Sequence, residues 1–273
     1  MSAQQNDSQS TVQPPPSAFD LTGKVAIITG SSRGIGRSIA VHMARAGARV
    51  VISSRKQASC EAVAEAIRAE GGEAMAIPAN ISKRDELYHL ADHTLETWGA
   101  VDILVCNAAS NPYFGPMAGE GLTDAVFDKI MRNNVLNNLR LINRVAPGMA
   151  TRGGGAVIIV SSIGGLRGDG FLGVYNMSKA ADMQLVRNLA VEWGHANIRV
   201  NAIAPGLIKT DFARALWSNP ELKARLEQVT PLGRIGEPDD IGPIAVMLSA
   251  RAGAFITGQV LVADGGVTSV AAW

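Results

Sequence analysis

Short apolar runs alternate along the chain with longer segments in which apolar residues recur every three or four positions. The short runs are rich in Val and Ile, which is typical of buried strands, and the longer spacing is typical of helices with one apolar face. The pattern predicts strands at Lys24–Thr29, Arg49–Ser54, Glu73–Ala79, Asp102–Asn107, Ala156–Ser161, Ile198–Ala204 and Gln259–Ala263. It predicts helices near Gly36–Ala46, Ala58–Glu70, Lys83–Trp98, Thr123–Ala150, Val174–Trp193 and Pro238–Ala250. This alternation indicates an α/β fold with one doubly wound sheet of seven parallel strands and helices on both faces.

The length of 273 residues and the absence of an internal linker favour one domain. Residues 1–20 are rich in Gln, Ser, Asn and Pro, so we expect them to form a disordered tail. Residues 21–273 are then a single domain. A hydrophobic content of 47% supplies enough apolar surface to cover both faces of a parallel sheet.

The charges nearly balance, with a formal net charge of +1, which argues against nucleic acid or an anionic membrane as a partner. A small molecule fits better. Cys60 and Cys106 are the two cysteines, and they form neither a disulfide framework nor a metal-ligand spacing, so we expect no metal and a reducing, cytoplasmic location. No segment reads as a signal peptide or a membrane span.

The turn after the first predicted strand contains three glycines, Gly30, Gly34 and Gly36. Ser32, Arg33 and Ile35 lie between them. Glycine has no Cβ and adopts positive φ easily, so such a backbone can approach a pyrophosphate at the start of the next helix. The spacing differs from the widely shared dinucleotide fingerprint, and a sharp turn without a ligand is the alternative. Its place in the first β-α-β unit favours a Rossmann-like cofactor site.

The second predicted strand ends in Ser54 and Arg55, where NAD-binding domains usually carry a carboxylate for the ribose hydroxyls. Cations without a carboxylate suit a 2′-phosphate, with Arg55 as its planar partner and Arg33 on the adenine side. We therefore expect a preference for NADP(H). The alternative is that both arginines are solvated surface charges.

Tyr175 and Lys179 lie four residues apart near the start of a predicted helix, so both emerge on one face. A phenol normally ionises near pKa ~10, and a neighbouring ammonium favours the phenolate. Lys179 is therefore expected to make Tyr175 a usable acid/base. Ser162 ends the fifth strand and can donate to a carbonyl oxygen. Taken alone, the pair could be an incidental helix contact.

Together these motifs resemble the short-chain dehydrogenase/reductase family over about residues 21–266. The matching positions are Thr29 to Gly36, Asn107-Ala108-Ala109, Asn134-Val135, Ser162, Tyr175 to Lys179, Asn201, Pro205-Gly206 and Asp264-Gly265-Gly266. The resemblance implies that Tyr175 protonates a carbonyl oxygen, Ser162 orients it, Lys179 holds the nicotinamide ribose and Asn134 holds a water linked to Lys179.

The same resemblance implies further cofactor contacts and an assembly. The positions are Asn107 and Ala108 near the adenine ribose, Asn80 and Ile81 near adenine, and Pro205, Gly206, Ile208 and Thr210 at the nicotinamide end. Asn80 departs from the family's usual Asp, and a simple turn residue is the alternative there. The family also implies a homotetramer, which a stable monomer in sedimentation would refute.

Aromatic residues in three loops predict an apolar substrate pocket, made by Tyr113, Phe114, Phe171, Phe212 and Trp217 beside Ser162. We expect an NADP(H)-dependent oxidoreductase that interconverts a hydrophobic ketone or aldehyde and its alcohol. The segment Asn111 to Pro116 is similar to the carbonyl and retinal reductase branch, and the overall pattern is equally similar to 3-oxoacyl-thioester reductases. A non-catalytic dinucleotide-binding scaffold is the alternative from another class.

Overall fold

Seven parallel strands form one sheet in a computed structural model that describes residues 17–118 and 120–270, in the order β3-β2-β1-β4-β5-β6-β7. The strands are β1 Val25–Thr29, β2 Arg49–Ser53, β3 Ala74–Ala76, β4 Ile103–Cys106, β5 Gly155–Val160, β6 Ile198–Pro205 and β7 Val260–Ala263. The helices are α1 Gly34–Arg45, α2 Gln57–Ala69, α3 Arg84–Trp98, α4 Asp124–Met131, α5 Asn137–Thr151, α6 Gly173–Trp193, α7 Arg214–Trp217, α8 Pro220–Gln228 and α9 Gly242–Ser249. The predicted fold class is confirmed.

Alternation along the strands sends successive side chains to opposite faces of the sheet, and both faces are apolar. Ile27 and Val51 lie in the layer formed with α3, α5 and α6. Ile28 and Ile52 lie in the layer formed with α1, α2 and α9. The central strands are thus buried on both sides, which explains their continuous runs of Val and Ile.

Strand β3 is shorter than the sequence predicts, because Pro78 follows it closely. Proline has no amide hydrogen to donate to the ladder. The backbone nitrogens of Ile77 and Ala79, on either side of it, still donate to the carbonyls of Ile52 and Ser54 at 3.0 Å each. Pairing therefore continues irregularly beyond β3 and brings residue 80 to the carboxyl edge of the sheet.

The predicted helix Thr123–Ala150 is wrong as one continuous element. A π-helical turn, Arg132–Leu136, separates α4 from α5, and the Asn137 nitrogen donates to the Arg132 carbonyl five residues back. Two short helices after β6, α7 and α8, were not predicted. A 3₁₀ turn, Pro238–Asp240, precedes α9 in place of a single helix from Pro238.

The order of strands reverses direction between β1 and β4, because the chain crosses from β3 on one edge to β4 on the other side of β1. In open parallel sheets such a point leaves a crevice at the carboxyl ends of the strands, where ligands bind. The predicted functional residues follow β1, β2, β4, β5 and β6, so the topology gathers them at that edge.

The predicted tail falls mostly on residues 1–16, which lie outside the described residues. Residues 17–20 are described, and the Ala18 carbonyl accepts a hydrogen bond from the Ala252 nitrogen at 2.8 Å. Among the described helices, none has both the length and the apolar character that crossing a membrane requires.

Candidate active site

The turn between β1 and α1 has the geometry of an anion-binding loop. Gly30 and Gly34 have φ values of +69° and +56°, which favour glycine. A Cβ on Gly36 would lie 2.6 Å from the Gly30 carbonyl oxygen. Arg33 precedes α1 without a side-chain cap, and the first turn contains no acidic residue. The amides and positive end of α1 are therefore free of a competing carboxylate from that turn, as a pyrophosphate requires.

Residues that follow β4 form hydrogen bonds that stabilise this turn. The Thr29 hydroxyl accepts from the backbone nitrogens of both Asn107 and Ala108 at 3.1 Å. The Asn107 side chain donates to the Thr29 carbonyl at 2.9 Å. Asn107 and Ala108 thus fix the loop that carries the partly exposed Ser32 and Ile35. Their role in the structure is to set the position of the glycine turn beside the cleft.

The segment after β6 reaches the same turn from the other side. A Cβ on Gly34 would lie 3.1 Å from the Thr210 methyl group. Next to it, Asp211 accepts from Arg33 at 3.3 Å and from Arg214 at 2.7 Å. Arg33 therefore lies against the segment after β6, and its contact with the adenine side of the cofactor stays a prediction.

The remaining residues predicted at the nicotinamide end continue this segment. Pro205 ends β6, and a Cβ on Gly206 would lie 2.8 Å from the Asp264 Cα at the end of β7. Ile208 is buried and pairs with Gly236 in an isolated parallel bridge. The backbone around Ile208 is consequently held between two loops at the edge of the cleft.

The end of β2 places cations at the start of α2. Arg55 is exposed and Ser54 is partly buried, with the Ser54 hydroxyl 3.2 Å from the Cys60 sulfur. Lys56 precedes α2 without a side-chain cap, and the first turn of α2 contains no acidic residue. The two cations and the helix end add their positive potentials at this point.

The end of β3 places the predicted adenine contacts in a turn. The Asn80 side-chain oxygen accepts from the Ser82 nitrogen at 3.0 Å. The Ile81 carbonyl accepts from the Asn137 side chain at 2.5 Å. The Asn80 side-chain oxygen thus accepts one bond in a local turn and keeps a second lone pair, so its contact with adenine stays a prediction.

Ser162 is held in a tight turn packed on α6. Its hydroxyl accepts from the Gly164 nitrogen at 3.1 Å. A Cβ on Gly165 would lie 2.7 Å from the Lys179 carbonyl carbon, and the Ser161 hydroxyl donates to the Lys179 carbonyl at 2.8 Å. The missing side chain at Gly165 lets the strand end approach the helix, which fixes Ser162 relative to Lys179.

Tyr175 and Lys179 share the face of α6 that meets the sheet. The Lys179 nitrogen lies 5.7 Å from the centre of the Tyr175 ring. Burial raises the pKa of the phenol above its ordinary value, and Lys179 and the neighbouring Ser162 hydroxyl oppose that rise. Lys179 acts in the expected direction, but burial has the larger effect, so the net direction of the pKa change is upward and not downward as the sequence predicts. A protonated phenol is the form that can donate to a carbonyl.

Lys179 has a buried carboxylate partner that sequence reasoning missed. Its ammonium donates to the Val160 carbonyl at 2.9 Å and to Asp182 Oδ2 at 3.1 Å. Asp182 follows Tyr175 by seven residues, two helical turns, so it lies on the same face. An acidic residue at that position of an otherwise apolar helix face was the available signal.

Asn134 lies in the π-helical turn and is fully buried. Its side-chain oxygen accepts from the Ser110 nitrogen at 2.8 Å, and its amide donates to the Ser178 hydroxyl at 3.0 Å. The wide turn points the side chain to the loop after β4 and to α6 together. π-turns interrupt helices frequently at functional sites, and this one joins two sides of the cleft.

Phe212 is the predicted pocket residue that the structure brings to the phenol. Its ring centre lies 6.0 Å from that of Tyr175. Trp217 anchors the same segment, because its indole nitrogen donates to the Thr210 carbonyl at 2.8 Å. This arrangement places an aromatic surface beside the reactive hydroxyl.

The other predicted pocket residues lie in two loops that touch each other. Phe114 and Phe171 are 56% and 67% exposed, and the Gly115 nitrogen donates to the Phe171 carbonyl at 2.9 Å. Tyr113 donates its hydroxyl to the Pro116 carbonyl at 2.9 Å. The loops after β4 and β5 therefore form one continuous rim with exposed aromatic rings.

Comparison with known proteins places the chain in a family. The family model described as Enoyl-(Acyl carrier protein) reductase matches residues 30–268. Dehydrogenase/reductase SDR family member 4 of Oryctolagus cuniculus is 41% identical over 249 residues, covering 91% of this chain and 95% of that protein. The chain belongs to the short-chain dehydrogenase/reductase family. The predicted resemblance is thereby confirmed.

Solved short-chain dehydrogenase/reductase structures share the fold over nearly the whole chain. A 7α-hydroxysteroid dehydrogenase complexed with NADH and 7-oxo glycochenodeoxycholic acid is 38% identical, with a TM-score of 0.87 and coverage of 91% of this chain and 96% of that one. A gluconate 5-dehydrogenase from Burkholderia cenocepacia, in complex with NADP and tartrate, is 31% identical, with a TM-score of 0.88 and coverage of 93% and 98%.

Membership of the short-chain dehydrogenase/reductase family establishes an oxidoreductase that uses a nicotinamide dinucleotide. The alternative of a non-catalytic scaffold is thereby set aside. The relatives carry NADH in one structure and NADP in another, and their substrates differ. Cofactor preference and substrate therefore depend on residues that differ between members of the family.

Proposed function

We propose that the enzyme interconverts a hydrophobic ketone or aldehyde and the corresponding alcohol, with NADP(H) as its preferred cofactor. The observation that carries the proposal is the environment of Tyr175. The centre of its ring lies 5.7 Å from the Lys179 nitrogen and 6.0 Å from the centre of the Phe212 ring. A proton donor thus faces an apolar neighbour.

Each of the three side chains has a separate role in carbonyl reduction. Tyr175 donates its proton to the carbonyl oxygen, and the Ser162 hydroxyl holds that oxygen in place. Lys179 stabilises the phenolate that is left, and the third hydrogen of its ammonium remains available to a ribose hydroxyl beyond the two donated to Val160 and Asp182. NADPH, when bound along the glycine turn, supplies the hydride.

The aromatic rim supports an apolar substrate. Phe114, Phe171 and Phe212 are each more than half exposed and belong to the segments that follow β4, β5 and β6. Large exposed aromatic side chains that converge on one cleft are typical of sites that bind apolar ligands. A bulky carbonyl compound would bury these rings, whereas a sugar acid would leave them in contact with polar groups.

A panel of carbonyl compounds tests the substrate class. We expect kcat/KM for a steroid ketone or an aromatic diketone to exceed that for a keto-sugar acid about tenfold or more, because burying one aromatic side chain contributes about 1.5–3 kcal/mol. An acetoacetyl thioester is the third arm, suggested by the matching family model. Loss of NADPH absorbance gives the rates. A panel in which the sugar acid is the best substrate would reject the apolar pocket.

The cationic end of β2 supports the choice of NADP(H). Arg55 is exposed and forms no ion pair with another described residue within 4.0 Å, so its guanidinium is available to a 2′-phosphate. Lys56 and the uncapped start of α2 add to the positive potential. A carboxylate that would repel the phosphate is absent from Ser53 to Gln57.

Substituting Arg55 tests this assignment. We expect Arg55→Ala to lower kcat/KM for NADPH about tenfold, because hydrogen bonds to charged groups contribute about 1.5–3 kcal/mol and solvent screens part of this at an exposed site. The value for NADH should change less than about twofold. Arg45→Ala is the matched control, since Arg45 is an exposed arginine paired with Glu70 away from the cleft. Equal losses with both cofactors would contradict the assignment.

A further inference from the structure

Helix α6, which carries Tyr175 and is called the catalytic helix below, contains a buried ion pair. Lys179 lies one turn and Asp182 two turns beyond Tyr175. The side chains of Lys179 and Asp182 are 2% and 0% exposed, and their charged atoms are 3.1 Å apart. Removing a carboxylate and an ammonium from water costs several kcal/mol each, which their attraction offsets only when the geometry is good. A lysine that served only to bind a ribose would not need such a partner, so the carboxylate requires its own explanation.

Asp182 also connects Lys179 to the other side of the cleft. Its second oxygen, Oδ1, accepts from the Asn138 side chain at 3.5 Å. The same Asn138 nitrogen donates to the Asn134 carbonyl at 2.5 Å. A continuous series of polar contacts therefore joins Asn134 to Lys179 through two side chains of α5 and α6. The position of the ammonium is set from both ends of this series.

The groups that face the ion pair come from three elements. Tyr175 belongs to the same helix, Cys106 lies at the end of β4, and Asn138 comes from α5. Burial raises the pKa of the Cys106 thiol, so that group is neutral. Asp182 is then the anion that acts on the Lys179 charge among the described residues, and its charge raises the pKa of both Tyr175 and Lys179.

We propose that Asp182 is a positioning residue that acts through Lys179, holding the ammonium against the Val160 carbonyl and offsetting part of its charge, so that Tyr175 remains the proton donor up to a higher pH. The proposal deepens the proposed function and rests on it for its catalytic meaning. An ammonium without this partner would present a full positive charge to the phenol and would favour the phenolate. The carboxylate thus widens the pH range in which the site can protonate a carbonyl.

Titration of the phenol tests the inference without substrate or cofactor. The chain has three tyrosines, so NMR of enzyme labelled at tyrosine Cζ gives few signals, and Tyr175→Phe identifies the one required. In Asp182→Asn we expect Tyr175 to ionise at lower pH, with about threefold more phenolate than wild type at the pH where the wild-type signal begins to move. Asp182→Glu should return the titration toward wild type.

A matched control separates charge from loss of packing. Asp102 is also a largely buried carboxylate, but it precedes β4 and so lies at the amino-terminal ends of the strands, away from the site. There it accepts from the Val25 nitrogen at 2.9 Å. Asp102→Asn should leave the Tyr175 titration unchanged even if it lowers stability. Where Asp182→Asn fails to fold, Asp182→Ser removes the same charge with a smaller side chain and should shift the titration in the same direction.

The pH dependence of carbonyl reduction supplies the second readout. In Asp182→Asn the decline of kcat on the alkaline side should begin at lower pH, so that the ratio of rates at pH 9 and pH 6 falls about threefold relative to wild type. A Tyr175 titration that is unchanged or moves to higher pH in Asp182→Asn would overturn the inference. A shifted titration in an enzyme that reduces no carbonyl would uphold it and reject the proposed function.

Discussion

Replacing Tyr175 with phenylalanine is expected to lower kcat/KM for carbonyl reduction by about 10²–10⁴-fold, the usual contribution of a general acid. The change removes one hydroxyl and leaves the ring against Phe212, at 6.0 Å between centres. Cofactor binding should therefore change little, because the glycine turn and Lys179 remain. Steady-state rates together with titration of NADPH fluorescence separate the two effects.

Tyr88→Phe is the matched control for Tyr175→Phe. Tyr88 lies on α3 with the guanidinium groups of Arg84 and Arg144 each 5.8 Å from its ring, away from the catalytic helix. Its loss should leave the rate within about twofold of wild type. If Tyr175→Phe retained more than about a third of the wild-type rate, another group would have to be the proton donor.

The sheet and the glycine turn could be predicted because their causes are local. Val and Ile runs bounded by turn residues encode buried strands, and Gly30, Gly34 and Gly36 encode a backbone that a Cβ would obstruct. The carboxyl ends of parallel strands meet at one edge, so Ser162 and Tyr175 could be placed together without coordinates. Neighbouring residues and the general rule for parallel sheets are therefore sufficient to predict these features.

Apart from Asp182, which follows Lys179 by three positions on the same helix, the partners of the reactive side chains could not be predicted, because they depend on packing between distant segments. The π-turn that carries Asn134 keeps the ordinary helical spacing of apolar residues, so the sequence predicts one uninterrupted helix. Asn138 and Asp182 are separated by 44 positions, and only the approach of α5 to α6 brings them together. Arg33 likewise meets Asp211 across 178 positions.

The net change in the pKa of Tyr175 also could not be predicted from the sequence. From the sequence, a nearby lysine is the visible influence, and it lowers the pKa of a phenol. The structure adds burial, which raises that pKa, and Asp182, which acts in the same direction as burial. Neither influence can be read from the four-residue spacing of Tyr175 and Lys179, so the sequence predicted the direction in which Lys179 acts and not the net direction of the pKa change.

Substituting Lys179 with methionine should destabilise the fold as well as abolish most of the activity. Asp182 would keep its buried position without a counter-charge, and breaking a buried pair in this way costs about 3–5 kcal/mol. The loss of folding stability should grow as the pH rises. Burial raises the pKa of Asp182 in the folded state, so below its unfolded pKa the carboxyl is protonated in both states and contributes no difference. As pH rises, the unfolded chain ionises more readily, and stability falls.

Urea unfolding at pH 5 and pH 8, at one protein concentration, measures this effect, and a double variant identifies its cause. If the unpaired charge is responsible, Lys179→Met combined with Asp182→Asn should recover about 2 kcal/mol or more relative to Lys179→Met alone, and most of the pH dependence should disappear. Activity should stay low in both variants, because neither contains the ammonium beside Tyr175. A double variant as unstable as Lys179→Met at pH 8 would mean that lost packing around the lysine stem, not the charge of Asp182, sets the cost. The same outcome would remove the energetic reason for regarding the two residues as one unit.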